Sequence, residues 1–234
     1  FRYVDARDLA AWRLDETATE GQIAAEKVVE KEWNFTVQPG ASLFSRLQSM
    51  PVHLGDVAQI FVGLQTSADK IYVLKEIQSD DPGFIRVQDR NNREWLLERE
   101  VLRPFLNKVT VSSFERPIPR HWLIFPYALI GEQAKLISSK EFSKQYPTTW
   151  AYLKENEREL RNRESGKANT PEWYGYIYRK NLTSFVQPKL IVQVISLFGR
   201  YAYDDSGIHF SGGGNGPYYG VRWLPGYDSY SPYY

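Results

Sequence analysis

Cationic and aromatic side chains crowd residues 140–200, and their spacing suits a polyanion with stackable faces. Arg161, Arg163 and Lys167 precede Trp173 and Tyr174, and Arg179-Lys180 follow within a few residues. Cations tether phosphates and position a protein on a duplex. An amide or guanidinium aimed at a base edge then discriminates by roughly 1–3 kcal/mol per bidentate pair. Trp173 serves either as a stacking platform or as core. Lys189, between Pro188 and an apolar run, is expected to emerge at one end of its strand as a phosphate contact. The loop Gly212-Gly213-Gly214-Asn215-Gly216-Pro217 lacks the Lys-Ser/Thr and the helix that follow a phosphate loop. It is either a long hairpin turn or a loop whose amides and Asn215 side chain touch a phosphate or a base edge.

Catalytic candidates are sparse. His53, His121 and His209 lie far apart, none with a partner at metal-ligand spacing. His209 falls in an alternating strand and reads as structural. Asp204-Asp205 could pair as acid and base, but adjacent Asp residues before Ser-Gly more simply make a turn. The absence of cysteine excludes disulfides, thiolate metal sites and cysteine nucleophiles. No nucleophile elbow or zinc motif is present, so neither a catalytic residue nor a metal is assigned.

The net charge of +1 by itself argues for no nucleic-acid partner, but its distribution is uneven. Residues 1–32 carry five Lys/Arg against eight Asp/Glu, and residues 140–200 carry eleven against six. A basic half in a neutral chain fits a local electrostatic footprint. Tyr (16) and Trp (7) exceed what a plain core needs and suit interfaces as well as interiors. With 234 residues the chain is long enough for one large domain, or one with an appendage. No apolar run approaches the ~20 residues of a membrane span, and no signal peptide opens the chain.

The elements that must hold these residues read as α+β: an antiparallel, curled sheet core with inserted helices, plus a short N-terminal helical connector. The chain opens at Phe1 and ends in a tyrosine-rich tail, which suggests a segment of something longer. Phe1–Leu9 could close a strand of a preceding domain, Glu20–Trp33 is a charged helix candidate, and Ala41–Met50 is a short amphipathic helix. Residues 1–50 are read as a connector and 51–234 as the functional domain. Val57–Val62 and Ile71–Leu74 are expected to form a hairpin-like unit about a polar turn containing Gln65, Thr66 and Lys70. Trp95–Phe105 reads as a short helix ended near Pro104, and Trp122–Tyr127 as a buried strand. A helix follows Pro147, N-capped by Thr148 or Thr149. Glu155–Arg158, Glu157–Arg161 and Glu159–Arg163 are spaced to pair along it, each pair worth ~0.2–0.5 kcal/mol. Residues 190–195, 201–203, 208–210 and 218–223 complete the strands.

These pieces, in order, resemble the TaqI-like C-terminal specificity domain, the target recognition domain of N6-adenine DNA methyltransferases and fused restriction–methylation enzymes. The resemblance runs from Leu54-Gly55-Asp56, Gly63-Leu64-Gln65-Thr66 and Lys70–Leu74 through Leu102–Leu106 and Tyr146-Pro147. It continues through Leu160 with Arg163, Trp173-Tyr174, Pro188–Val192 and Tyr203-Asp204 to the glycine loop, covering about residues 51–225. The pattern departs after Thr66, where a glycine is expected and Ser67 stands.

The resemblance implies sequence-specific recognition of double-stranded DNA without catalysis, in a bacterial or archaeal cytoplasm. An upstream methyltransferase domain of the same chain would hold S-adenosylmethionine and the target adenine, and the parent could also cleave DNA. This segment has neither an Asn-Pro-Pro-Tyr motif nor a glycine-rich S-adenosylmethionine loop, so no cofactor is expected in it. The DNA contacts expected are Gln65, Thr66, Lys70, Arg161, Arg163, Lys167, Trp173, Tyr174, Arg179, Lys180, Lys189 and Asn215. The alternatives are a carbohydrate-binding or other aromatic-surface module, or a stand-alone specificity subunit.

Overall fold

The computed structural model describes residues 2–5, 12–14, 19–25, 40–78, 80–107, 111–212 and 218–225. The chain divides into two compact units, Phe1–Asp56 and Val57–Tyr234. In the first, β1 (Arg2–Asp5) pairs antiparallel with β2 (Thr19–Gln22), so the N-terminal strand finds its partner within the unit. Strand β2 also takes the start of the expected Glu20–Trp33 helix, and residues 26–33 lie outside the described set. Helix α1 (Gly40–Gln48) matches the amphipathic stretch before Pro51. The short helix α2 (Leu54–Val57) follows, with the Asp56 carboxylate accepting from the His53 N–H.

The second unit is mixed α+β, and none of its sheets closes into a barrel. A six-stranded sheet has the order β13-β7-β8-β4-β5-β6, built from β4 (Val73–Gln78), β5 (Phe84–Gln88), β6 (Glu94–Glu98), β7 (Leu102–Leu106), β8 (His121–Ile124) and β13 (His209–Phe210). A four-stranded sheet has the order β12-β11-β14-β3, from β3 (Ala58–Val62), β11 (Lys189–Gln193), β12 (Tyr201–Asp204) and β14 (Tyr218–Trp223). The hairpin of β9 (Tyr127–Ile130) and β10 (Gln133–Leu136) stands apart.

Two sequence expectations change here. Strands β3 and β4 belong to different sheets, so the segment between them is a crossover and not a hairpin turn. The stretch from Trp95 to Phe105, expected as a helix, is strand β6, a single 3-10 turn and strand β7. Leu97, Leu102 and Phe105 face the core, and Pro104 is tolerated within β7.

After β10 come α4 (Ser139–Gln145), α5 (Pro147–Glu155) and α6 (Glu157–Arg161). Ser138 caps α4 by accepting from the Glu141 N–H. Pro147 opens α5, where its missing N–H costs nothing, but the cap is not the expected threonine hydroxyl. Instead the buried Glu98 carboxylate of β6 accepts from the Thr148 and Thr149 N–H groups at 2.8 and 2.9 Å, and from the Thr149 hydroxyl. Burial would raise the Glu98 carboxyl, yet these donors outweigh it and hold it below its ordinary value.

Of the three expected helical ion pairs only Glu157–Arg161 forms; Glu155 turns to Arg93 and Glu159 to Arg90, both on the β5–β6 side.

One hydrophobic cluster joins both sheets and the helices. Much of the tyrosine excess is consumed there, because a phenol fills volume while its hydroxyl satisfies a loop carbonyl. Tyr152, Tyr176 and Tyr72 donate to the carbonyls of Ile71, Ile124 and Tyr174 respectively. No helix among the described residues is long and apolar enough to cross a membrane.

Candidate nucleic-acid interface

Where β3 ends, the chain passes so close to the glycine loop that neither backbone has room for a side chain. A Cβ on Gly63 would meet Phe210 and Ser211 backbone at 2.5 Å, and one on Gly212 would meet Gly63 backbone at 2.3 Å. Hydrogen bonds from Leu64 N to Phe210 O and from Gly212 N to Leu64 O, 2.9 and 2.8 Å, lock this contact. Gly212 therefore serves chain-to-chain packing. Asn215 and residues 213–217 lie outside the described set.

Beyond Gly63 opens a cleft of about 580 Å³. Residues 64–70 form one wall; Glu159, Arg163, Tyr178 and Gly212 form the rest. Gln65 pairs with Tyr178 through an antiparallel backbone bridge. Thr66 is buried: its hydroxyl donates to Asp69 Oδ1 and accepts from the Ala68 N–H, shaping the entry to α3 (Asp69–Tyr72). Its side chain is thus committed to the loop and not offered to a ligand. Gln65, half-buried, has an amide with no hydrogen-bond partner among the described residues, and Lys70 is exposed with no ion pair among them. Glu159 is held by the fork of Arg90, whose hydrogen bond keeps the carboxyl below its ordinary value, with Lys70 adding to the effect.

Left-handed backbone adjoins this cleft. Ser67, on its wall, and Glu164 and Ser165, directly after Arg163, are non-glycine residues with positive φ, and Gly166 follows Ser165 in the same region. The segment Arg163–Gly166 is consequently a left-handed reversal and not a continuation of α6. Such conformations cost about 1–2 kcal/mol per residue, and persist only where the surroundings over-determine them. The φ of 58° at Ser67 also explains why a glycine is expected after Thr66.

Arg163 supplies that determination. It is 6% exposed, and its guanidinium donates to the carbonyls of Leu160, Thr66, Trp173 and Gly175 at 2.5–2.9 Å. The expected phosphate contact is therefore corrected: this buried cation is an internal tie, four of its five N–H donors given to backbone oxygens. Trp173 and Tyr174 are likewise buried, packed with Trp150 and Phe142, and offer no stacking platform. Arg161 lies over the Trp173 ring and bonds Glu157, Asn169 and the Thr170 carbonyl.

Lys189 does not emerge from its strand. Its ammonium is buried, donating to the Phe185 carbonyl at 2.7 Å and to Asp204. Desolvation lowers its pKa, against the pull of the Asp204 carboxylate. Asp204 also accepts from Ser206 N, Ser206 Oγ and Ile208 N, the turn role read from its sequence. Asp205 pairs with Arg116, and His209 is buried against Phe185 and Phe125.

Of the expected contacts, Gln65, Thr66, Lys70 and Arg163 thus come together at one cleft. Lys167 and Lys180 are exposed without ion pairs among the described residues, and Arg179 is exposed but paired with Glu172. Glu159 and Tyr178 line the cleft without having been expected there. Only the pairing of Gln65 with Tyr178, distant in sequence, brings the latter in.

No family model matches the chain. The type II restriction enzyme and methyltransferase RM.Eco57I of Escherichia coli is 30% identical over 217 residues, 88% of this chain and 21% of that protein. The type II methyltransferase M.BstVI of Geobacillus stearothermophilus is 24% identical over 183 residues, 77% of this chain and 28% of that protein. The chain spans about a fifth of the first relative and little more than a quarter of the second. Its relatives are type II restriction–modification methyltransferases, matched over a partial region.

Proposed function

We propose that this chain is the sequence-specific DNA recognition part of an adenine-N6 DNA methyltransferase of the restriction–modification type, and that it performs no chemistry alone. Residues 51–234 form the recognition domain, and residues 1–50 connect it to an upstream methyltransferase domain. The observation that carries the reading is the cleft beside Gly63. It presents a Gln65 amide, unpartnered among the described residues, on a strained, internally tied loop, and a Lys70 ammonium from the helix that follows, in a chain whose relatives are DNA methyltransferases.

In this reading Lys70, Lys167 and Lys180 hold phosphates and set the register on the duplex. Gln65 addresses a base edge, its amide suited to the N6 and N7 positions of adenine. The flipped base and S-adenosylmethionine belong to the methyltransferase domain.

Anisotropy titrations of a duplex panel across a range of salt test this. Lys70→Ala, Lys167→Ala and Lys180→Ala should each weaken binding to all sequences alike and reduce the salt slope by about 1. Duplex binding that ignores salt, or no duplex binding at all, would overturn it.

A further inference from the structure

The outer face of the four-stranded sheet is apolar from edge to edge. Directly opposed residues share a face, so the register places Tyr201 and Tyr203 of β12 beside Leu190 and Val192 of β11. The same side continues through Tyr219, Val221 and Trp223 of β14 to Ile60 and Val62 of β3. The inner side, with Ala202, Ile191 and Phe61, is core. Yet Tyr201, Tyr203, Tyr219, Trp223 and Ile60 of the outer side are exposed. The β11–β12 connection carries further exposed apolar residues, with Ile195 86%, Leu197 96% and Phe198 78% exposed.

An antiparallel sheet with one face in water alternates apolar and polar residues. Here the outward alternation is apolar: its strand residues include no carboxylate, ammonium, guanidinium or amide, while Lys189, Asp204, Gln193, Arg222 and Gln59 fall on the other side. Monomers rarely expose contiguous apolar patches larger than a few hundred Å². A duplex would need cations, and this face has none; its side-chain polar groups are tyrosine hydroxyls and the Trp223 indole N–H.

We propose that this face is the docking surface for an apolar surface of the methyltransferase domain in the same polypeptide. The inference rests on the function proposed above. The occupant follows from the relatives, because the matched segment is 21% and 28% of two methyltransferases. In both, most of the polypeptide lies beside it and is tethered to it, at an effective concentration of the order of mM for short linkers. Domain interfaces of this kind bury about 600–1,500 Å². Strand β3 runs from this face directly into Gly63 and the cleft, so docking here would fix the reading loop relative to the reacting base.

Tyrosine nitration read by peptide mass spectrometry tests the proposal, comparing this chain with the full-length methyltransferase polypeptide that contains it. Tyr201, Tyr203 and Tyr219 should react in the chain and be protected about tenfold in the longer polypeptide, the size of a 1.4 kcal/mol shift. Tyr178, on the cleft, should react alike in both. Equal reactivity of the three sheet tyrosines in both proteins would overturn the proposal. So would concentration-dependent dimerisation of the chain that protects them, or their protection by an insoluble polysaccharide. As a second arm, Val192→Lys with Tyr219→Lys in the long polypeptide should lower methylation about tenfold, while the chain carrying both substitutions binds duplex as before. Unchanged methylation would count against docking. Loss of duplex binding by the unsubstituted chain would instead sink the recognition reading, with the nitration result still standing on its own.

Discussion

Arg163 Nη1 donates to the carbonyl oxygen of Thr66 at 2.9 Å, joining residues 97 positions apart in the chain. The same guanidinium holds Trp173 and Gly175, so one buried cation ties the wall of the cleft to the end of α6 and to the following loop. Hydrogen bonds to charged groups are worth about 1.5–3 kcal/mol each, and an abandoned buried acceptor costs its desolvation.

Arg163→Met should therefore destabilise the chain by about 3 kcal/mol or more, lowering Tm by roughly 2–4 °C per kcal/mol. Arg163→Lys should recover only part of this, since an ammonium cannot reproduce the planar fork. Thermal denaturation of the three proteins, with duplex affinity measured well below Tm, checks both halves. A Lys variant as stable as the parent would contradict the tie.

Ser67 stands at φ 58°, in the left-handed region that costs a side chain energy and glycine none. Ser67→Gly should raise stability by roughly 0.5 kcal/mol, the relief of strain being partly offset by the greater freedom of the unfolded chain. Ser67→Val should lower it. Urea midpoints at constant m-value are the measurement, and a destabilising glycine would refute the backbone assignment.

His209 should govern part of the acid limb of stability. Burial is the main reason its pKa falls from 6.5 to about 3, with the hydrogen bond to the Gly207 carbonyl opposing. That bond takes the Nδ1 proton, and buried Nε2 has no hydrogen-bond partner among the described residues, so a second proton would have no acceptor there. Between pH 6.5 and about 3 the unfolded state binds a proton that the folded state refuses. Stability contributed by this group therefore declines as pH falls through that window, by up to ~1.4 kcal/mol per pH unit, and is complete above it. His209→Phe should reduce the proton uptake on unfolding near pH 5 by close to one, as read from the pH dependence of unfolding free energy. An unchanged slope would show the imidazole to be protonated in the fold.

Gln65→Ala should relax sequence preference at one base pair by roughly 1–3 kcal/mol while leaving the salt slope intact, because an amide reads base edges and neutralises no phosphate. Competition among duplexes differing at single positions measures this. A uniform loss across all sequences would assign Gln65 to positioning.

Local chemistry was readable without coordinates. Pro147 opened its helix, Glu157 met Arg161 one turn away, and Asp204 before Ser-Gly made its turn, since each depends on partners within a few residues. The mixed α+β class followed from the alternation of strand and helix patterns. Tertiary structure alone decided which cations remain available. A long side chain reads the same in sequence whether it reaches water or folds inward, and Arg163 and Lys189 are buried because carbonyls and a carboxylate from distant segments converge on them. The partition of β3 and β4 between two sheets was equally invisible, because strand pairing is set by long-range burial and not by the residues between the strands.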